Sequence, residues 1–519
     1  MTLAETAQAI VNANPRAKFA SLGFVMTETK MVRPGLDFVD NHLYMTVPIM
    51  QDQTVTVGRG KGAHEETKTV LVTAVIRDDG VFHPYNEEAM AAEGFVFPTT
   101  FTQDTNPRWT KPSMTSHLFG EAPIINSASL FNDLRKVFVD HVEYPEEIYY
   151  DLLPLYILST YVFRLFQTTP YIHFFGSKAS GKSQNLNLIK TFGLNAIWAS
   201  NMSSPALYRR VAGCPGVLCL DETEGFDGER GEELRRILNA GYVKGGTVPR
   251  AEKQGDTFVT IEFEAYCPKV MASITPLEPV LQSRSMIIPM SPAIRRIPNF
   301  NPEETRWQTL RDRIYLWAMQ NAAALVPIRD TWTTDRQDRE AVGLTNREWQ
   351  LAHPLLTLGE HFGGAELIGR LLPYFATAAA AKAKAQEDAD RQVLLLKILP
   401  RVLAKNAAHE GGYYAIKEIH ATVTEYLEED AREYYKTRAV SRHLVTLGFK
   451  DKRQAKGGAQ IRLPEAFLRE QFTKRHTTPF EEDEAWLRGE ASYEYEEPTP
   501  PTPPVDDRLS WLDEYAENA

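Results

Sequence analysis

The alternation of apolar and polar positions changes character several times along the chain. Up to residue 140, short runs such as LYMTVPIM at 43–50 and TVLVTAVI at 69–76 lie between turn-rich connectors, including GRGKGAHEE at 58–66. This pattern predicts a β-rich domain over 1–140. From 141 to 300 apolar strand-like runs alternate with amphipathic helical stretches, which predicts an α/β core with a parallel sheet. Helical periodicity dominates 301–405, where ATAAAAKAKAQEDADRQ at 376–392 has strong helix propensity. Residues 406–475 predict a small unit of two helices followed by a strand, a glycine turn and a strand. From 476 to 519 the chain is acidic and then Pro/Thr-rich, as in EEPTPPTPP at 496–504. Too few apolar residues remain there to build a core, so a disordered tail is expected.

The stretch PYIHFFGSKASGKSQNLNLIK at 170–190 carries the most specific chemistry. A β run, Tyr171 to Phe175, leads into Gly176-Ser177-Lys178-Ala179-Ser180-Gly181-Lys182-Ser183, and an amphipathic helix follows; these loop residues together with Gln184 are expected to bind the nucleotide. This is G-x-x-x-x-G-K-[ST] in strand–loop–helix context, the pattern of a phosphate-binding loop. Gly176 and Gly181 let backbone N–H groups turn inward around a β-phosphate, and the helix N-terminus adds its positive end. Lys182 supplies charge to the β- and γ-phosphates, and the Ser183 hydroxyl completes a Mg²⁺ shell. Downstream, the apolar run Gly216 to Leu220 ends in Asp221-Glu222. Carboxylates at the C-terminal edge of a buried strand sit where ligands bind. Asp221 is expected to hold Mg²⁺ through water, and Glu222 to act as general base on the attacking water. ATP and Mg²⁺ are the expected substrate and cofactor, and hydrolysis the expected reaction.

Composition places the chain among globular proteins: 43% of its 519 residues are hydrophobic and 24% charged. The longest apolar stretch, 152–166, is interrupted by Pro154 and Arg164 and is too short for a membrane span. Neither a secretory signal nor a cysteine pair with metal spacing is present, so a reducing, cytoplasmic setting is expected. The formal net charge of −11 argues against nucleic acid only until it is placed along the chain. Residues 481–519 hold 13 acidic and 2 basic residues, which leaves 55 of each in 1–480. Residues 436–475, by contrast, hold 11 Lys/Arg against 3 Asp/Glu.

The order of motifs resembles the AAA+ family of P-loop ATPases, and more closely the helicase-like replication ATPases of plasmids, phages and genomic islands. The resemblance covers about 145–370. It implies that Ser273 or Thr275, after the strand of PKVMASITPL, senses the γ-phosphate. It further implies that Arg284 in VLQSRSMIIPM is an arginine finger acting on a neighbour, which requires a homo-oligomeric ring, expected to be a hexamer. In GLTNREWQLAHPLLTLGEHFGG, Arg347 is either a second sensor reaching the phosphates from a helical lid or a helix-start residue pairing with Glu348 or its neighbours. The segment holding Lys244, Arg250 and Lys253 faces the pore in such helicases, where glycines beside cations suit a single strand; a solvated surface turn is the alternative.

The basic unit at 406–475 resembles a winged helix. Val440, Leu444 and Leu447 fall on one helix face, and Arg438, Ser441 and Arg442 on the other. A hairpin then carries Lys450, Lys452, Arg453 and Lys456. Duplex DNA is the expected partner, through the helix in the major groove and the wing on phosphates, although winged helices also dock proteins. RLSWLDEY at 508–515 offers a docking motif for a replication protein; a solubilising tail is the alternative. Three functions follow: an ATP-driven DNA helicase or translocase in replication of a mobile element, a replication initiator or helicase loader, or a regulatory ATPase switch docking a protein. The first is preferred because the motif set is complete for multi-turnover hydrolysis.

Overall fold

The computed structural model describes residues 30–57, 64–84, 95–96, 108–199, 202–221, 228–254, 257–334, 344, 346–406, 408–427, 432, 435–475, 477, 479–480 and 483–489. The chain divides into two compact units, Met1–Ala379 and Ala380–Ala519.

In the first unit, strands β1 (Lys30–Met31) and β6 (Phe95–Val96) pair in parallel. The strands between them form an antiparallel sheet in the order β2 (Leu36–Val39), β3 (His42–Val57), β4 (His64–Arg77), β5 (Phe82–Pro84). Asp40 and Asn41 join β2 to β3 with φ of 51° and 64°, the left-handed two-residue turn that matches strand twist. Leu36, Leu43, Met45, Ala74 and Ile76 are buried in the same hydrophobic cluster as the α/β segment that follows. The region expected to be β-rich also contains two helices, α1 (Lys111–Leu118) and α2 (Ser127–His141). Their N-caps are Thr110 and Asn126, whose side-chain oxygens accept from Ser113 and Ser129 N–H. The apolar face of α2, Leu130, Leu134, Val137 and Phe138, joins that shared core. Strands β2–β4 and helix α2 thus contribute to one buried cluster with the α/β segment.

Helix α3 (Tyr149–Thr160) is buried along its whole length, which accounts for the apolar stretch at 152–166. No helix among the described residues is long and apolar enough to cross a membrane. The central sheet is parallel, in the order β13 (Ser285–Met290), β7 (Tyr171–Gly176), β12 (Lys269–Ser273), β9 (Leu218–Leu220), β8 (Ile197–Trp198). Helices α4 (Lys182–Phe192), α5 (Ser204–Gly213) and α6 (Gly228–Ala240) connect its strands. After α6 an antiparallel hairpin, β10 (Thr247–Gln254) and β11 (Thr257–Glu264), leaves the sheet before β12 returns to it. A short helix α7 (Pro279–Ser283) then precedes β13, and α8 (Thr305–Thr334) follows it. Helix α9 (Asn346–Lys405) breaks at Gly364, whose φ of 54° is outside the helical region.

In the second unit, a three-stranded antiparallel sheet runs β14 (Tyr413–Ala415), β16 (Gly458–Arg462), β15 (Lys452–Ala455). Helices α10 (Ile416–Glu425), α11 (Thr437–Thr446), α12 (Glu465–Lys474) and α13 (Glu484–Leu487) accompany it. The folded unit extends past the expected end of order at 476. Trp486 is buried against Phe472, and Asp483 takes Arg401 at 3.0 Å. An acidic composition concealed one tryptophan and one paired carboxylate. The docking motif at 508–515 lies outside the described residues, as does the loop at 58–63.

Candidate functional site

The loop 176–181 leaves β7 at the C-terminal edge of the parallel sheet and ends at the first turn of α4. At Gly176 a Cβ would stand 2.1 Å from the Met290 carbonyl oxygen, so the close approach of β13 admits only glycine. Ala179 and Gly181 are left-handed, with φ of 59° and 87°. Ser177, Lys178, Ala179 and Gly181 are exposed, while Ser180 is buried and its hydroxyl donates to the Ser177 carbonyl at 2.8 Å. Lys182 Nζ curls over the loop and donates to Gly176 O at 2.7 Å and Ser177 O at 2.6 Å.

Ser183 and Asp221 lie 38 positions apart in sequence, and the fold brings them together: Ser183 Oγ donates to Asp221 Oδ2 at 3.1 Å. Asp221 follows the buried β9, and β12 separates that strand from β7. This hydroxyl–carboxylate pair at the rim of the loop is the oxygen donor set a hard divalent cation selects. Glu222 lies outside the described residues. Gln184 is turned from the loop; its amide donates to His141 O and, at 3.2 Å, to Pro298 O, and it ties the start of α4 to neighbouring segments. Sequence reasoning missed the residues beneath the loop. Asn185 is fully buried and donates to Gly181 O at 3.1 Å, while its own amide oxygen accepts from Tyr144 OH. The signal was available, because an amide on the buried face of an amphipathic helix needs partners.

At the end of β12, Ser273 is buried and donates to Thr275 O at 2.5 Å. Its oxygen then accepts from His173 Nε2 at 2.6 Å. Thr275 is exposed just beyond the strand. Burial keeps Cys214, Cys219 and Cys267 as free core residues, and pushes the Cys219 thiol up to about 12.

Arg284 and Arg347 come together away from the loop. The guanidinium carbon of Arg284 lies 5.7 Å from the ring centroid of Tyr242 and that of Arg347 lies 4.9 Å from it. Arg284 Nη1 donates to Asn239 O at 3.0 Å and Oδ1 at 2.5 Å, and Arg347 Nη1 donates to Gln350 Oε1 at 3.0 Å. Burial, together with the charge of Arg347, holds Arg284 below the ordinary arginine value. Ser285 pairs with Tyr171 and Met290 with Gly176, so Arg284 stands at the N-terminal end of strands whose other end bears the loop. Five strand residues at roughly 3.3 Å each separate the two edges by about 16 Å. Neither arginine is placed beside its own loop.

Of the three cations expected along the pore segment, two are engaged internally. Lys244 Nζ donates to Arg164 O at 2.8 Å, and burial lowers its pKa. Arg250 pairs with Glu233 at 2.5 Å and lies over Tyr208. Lys253 is exposed near the hairpin tip, directly opposite Phe258, which is 75% exposed. Phe258 was overlooked because TFVTIEFEAY reads as an ordinary strand. In the second unit Val440, Leu444 and Leu447 are buried, and Arg438, Arg442, Lys450, Lys452 and Lys456 are exposed. Lys452 Nζ donates to Ser441 Oγ at 2.8 Å, while Arg453 bonds Gln460 Oε1 and stacks 4.0 Å from the Tyr413 ring centroid.

The chain is similar to the full-length MCM homologue of Methanopyrus kandleri, with 12% identity over 65% of this chain and 78% of that chain, at a TM-score of 0.34. It is also similar to the apo C-terminal region of NrS-1 in two structures, each with 12% identity over 76% of this chain and 94% of that one, at TM-scores of 0.28 and 0.29. No family model matches the chain, and no curated protein matches it.

Proposed function

We propose that this chain is a ring-forming AAA+ ATPase that hydrolyses ATP to move along DNA as a replicative helicase or translocase. The observation that carries the reading is the Ser183–Asp221 contact of 3.1 Å at the rim of a glycine loop closed by Lys182. A bound Mg²⁺ would take the Ser183 hydroxyl as a donor and be held by Asp221 through water, and would offset charge on the β- and γ-phosphates.

The chain's own residues supply the rest. The N–H groups of the loop and of the first turn of α4 bind the phosphates. Lys182 exchanges its two loop carbonyls for phosphate oxygens. Glu222, next in sequence to Asp221, accepts the proton of the attacking water. The bond from water to the γ-phosphorus forms as the bond to the β,γ-bridging oxygen breaks, giving ADP and phosphate. Thr275, exposed beyond β12, is better disposed than the buried Ser273 to sense the γ-phosphate. Arg284 and Arg347, set at the opposite sheet edge, act on the site of the next subunit. That requires a head-to-tail ring.

DNA contact divides between two places. Lys253 and Phe258 at the hairpin combine a cation with an aromatic face, which suits the backbone and bases of a single strand. The second unit, read as a winged helix, presents Arg438, Arg442, Lys450, Lys452 and Lys456 to duplex phosphates. The test is the ATPase rate with no DNA, with single-stranded DNA and with duplex DNA, for the wild-type chain and for Lys182→Ala. The expected result is hydrolysis stimulated by DNA and abolished in the variant. A rate indifferent to DNA would point to the regulatory-switch alternative.

A further inference from the structure

Tyr242 belongs to neither the loop nor any strand, yet three functional segments converge on it. Its side chain is fully buried. Tyr171, the first residue of β7, meets it edge-on at 5.6 Å and 90°, and the Tyr171 hydroxyl is anchored on Leu238 O at 2.7 Å. The Tyr242 carbonyl accepts from Thr169 N at 3.2 Å, and Val243 bridges to Thr168. The ring is therefore fixed to the segment that leads into the phosphate loop.

The two arginines depend on the same frame. Arg284 O accepts from Tyr171 N at 3.1 Å, and its guanidinium rests on Asn239. Arg347 bonds Gln350, whose carbonyl accepts from Thr168 Oγ1 at 3.2 Å. Neither guanidinium makes an ion pair with a carboxylate among the described residues. Two like charges near each other repel, and the negative face of one aromatic ring attracts both. Tyr242 also stands at the root of the hairpin. It is separated from β10 by Gly245, with φ of 84°, and by Gly246, whose Cβ would lie 1.9 Å from Ala240 O.

Resting on the ring-ATPase reading above, we propose that Tyr242 is a positioning residue: it holds Arg284 and Arg347 as one two-guanidinium unit for the triphosphate bound by the neighbouring subunit. Hydrolysis in one subunit is then governed by a tyrosine at the hairpin root of the next. Two guanidiniums without an ion-pair contact among the described residues, Glu278 acting on Arg284 only at longer range, fit an anion with several oxygens, which the γ-phosphate provides.

The experiment compares the full chain with Tyr242→Ala, Tyr242→Leu and Tyr242→Phe, measuring kcat for ATP hydrolysis and the Kd of a fluorescent ATP analogue. Tyr242→Phe keeps the ring and retains hydrolysis. Tyr242→Leu fills the space without an aromatic face, and both it and Tyr242→Ala are expected to lose about a hundredfold in kcat, a modest share of what a positioned arginine supplies. The analogue Kd stays near wild type, because the variant's own loop is intact. The decisive readout is mixing Tyr242→Ala, left with about a hundredth of the wild-type rate, with the inactive Lys182→Ala. About a quarter of the interfaces in a random ring then join an intact loop to an intact arginine pair, and hydrolysis returns in that proportion. Wild-type rates in Tyr242→Ala, or a loss that mixing does not repair, would overturn the proposal alone. Absence of hydrolysis by the wild-type chain would overturn the ring-ATPase reading and the proposal with it.

Discussion

The buried ion pair at the hairpin root gives the most quantitative prediction. Arg164 is 1% exposed and sits where an apolar run would otherwise continue. Its guanidinium binds Glu264, the last residue of β11, through Nη1–Oε1 at 2.6 Å and Nη2–Oε2 at 3.0 Å. Its Nε donates to Leu36 O at 3.2 Å, and Arg33 Nε reaches Glu264 at 3.0 Å. One carboxylate thus joins the N-terminal sheet, the core and the hairpin. Burial works to raise its pKa, but Arg164 prevails and holds it below the ordinary glutamate value. Glu264→Gln removes the charge and takes from the buried Arg164 its bidentate partner, leaving Asp37 as the carboxylate that still acts on it. Breaking a buried pair in this way costs about 3–5 kcal/mol. Two charge-assisted hydrogen bonds at roughly 1.5–3 kcal/mol each give the same range. At 1.4 kcal/mol per tenfold, that is a factor of roughly a thousand in the local folding equilibrium. Hydrogen exchange of peptides covering β2 and β11, in native buffer and in mild urea, should show this loss, and Arg164→Met combined with Glu264→Gln should recover part of it. A cost below about 1 kcal/mol, with exchange unchanged at both strands, would refute the reasoning, since Arg164 would then be compensated elsewhere.

His361 Nε2 lies 3.0 Å from Ser127 Oγ and 3.2 Å from Trp317 Nε1, and burial lowers its pKa. The unfolded chain therefore binds this proton more readily, and stability falls as pH drops below the unfolded value of about 6.5; thermal unfolding between pH 7.5 and 5.5 should lose part of its slope in His361→Gln. Replacing Arg438 and Arg442 together by Ala should weaken duplex binding about equally for all sequences and reduce the log–log salt slope by about 2, measured by fluorescence anisotropy. Residues 490–519 hold nine acidic residues and one arginine; their deletion should tighten DNA binding at low salt, and the difference should vanish as salt screens it.

Local chemistry was readable and long-range geometry was not. The glycine loop and Asp221 are legible because each is a run of consecutive residues at a strand end, and the Ser183–Asp221 contact joins two such ends. The α/β core and the buried face of α11, with Val440, Leu444 and Leu447, follow from periodicity alone. Direction was illegible. Lys244 and Arg250 look like free cations in sequence, but Arg164 O and Glu233 occupy them, and only tertiary packing decides this. Tyr242 carries no motif, and its role arises because β7 and β13 run parallel, which brings Arg284 to the edge away from the loop. Helices α1 and α2 were lost to the strand-like runs before them, and Trp486 to the acidic residues around it.

Strand displacement from a forked DNA substrate tests the central claim most directly. Wild-type chain with ATP and Mg²⁺ should release the labelled strand, Lys182→Ala should neither hydrolyse nor displace, and Phe258→Ala should hydrolyse ATP while displacing little. An ATPase that the fork does not stimulate and that releases no strand would contradict an ATP-driven motor on DNA.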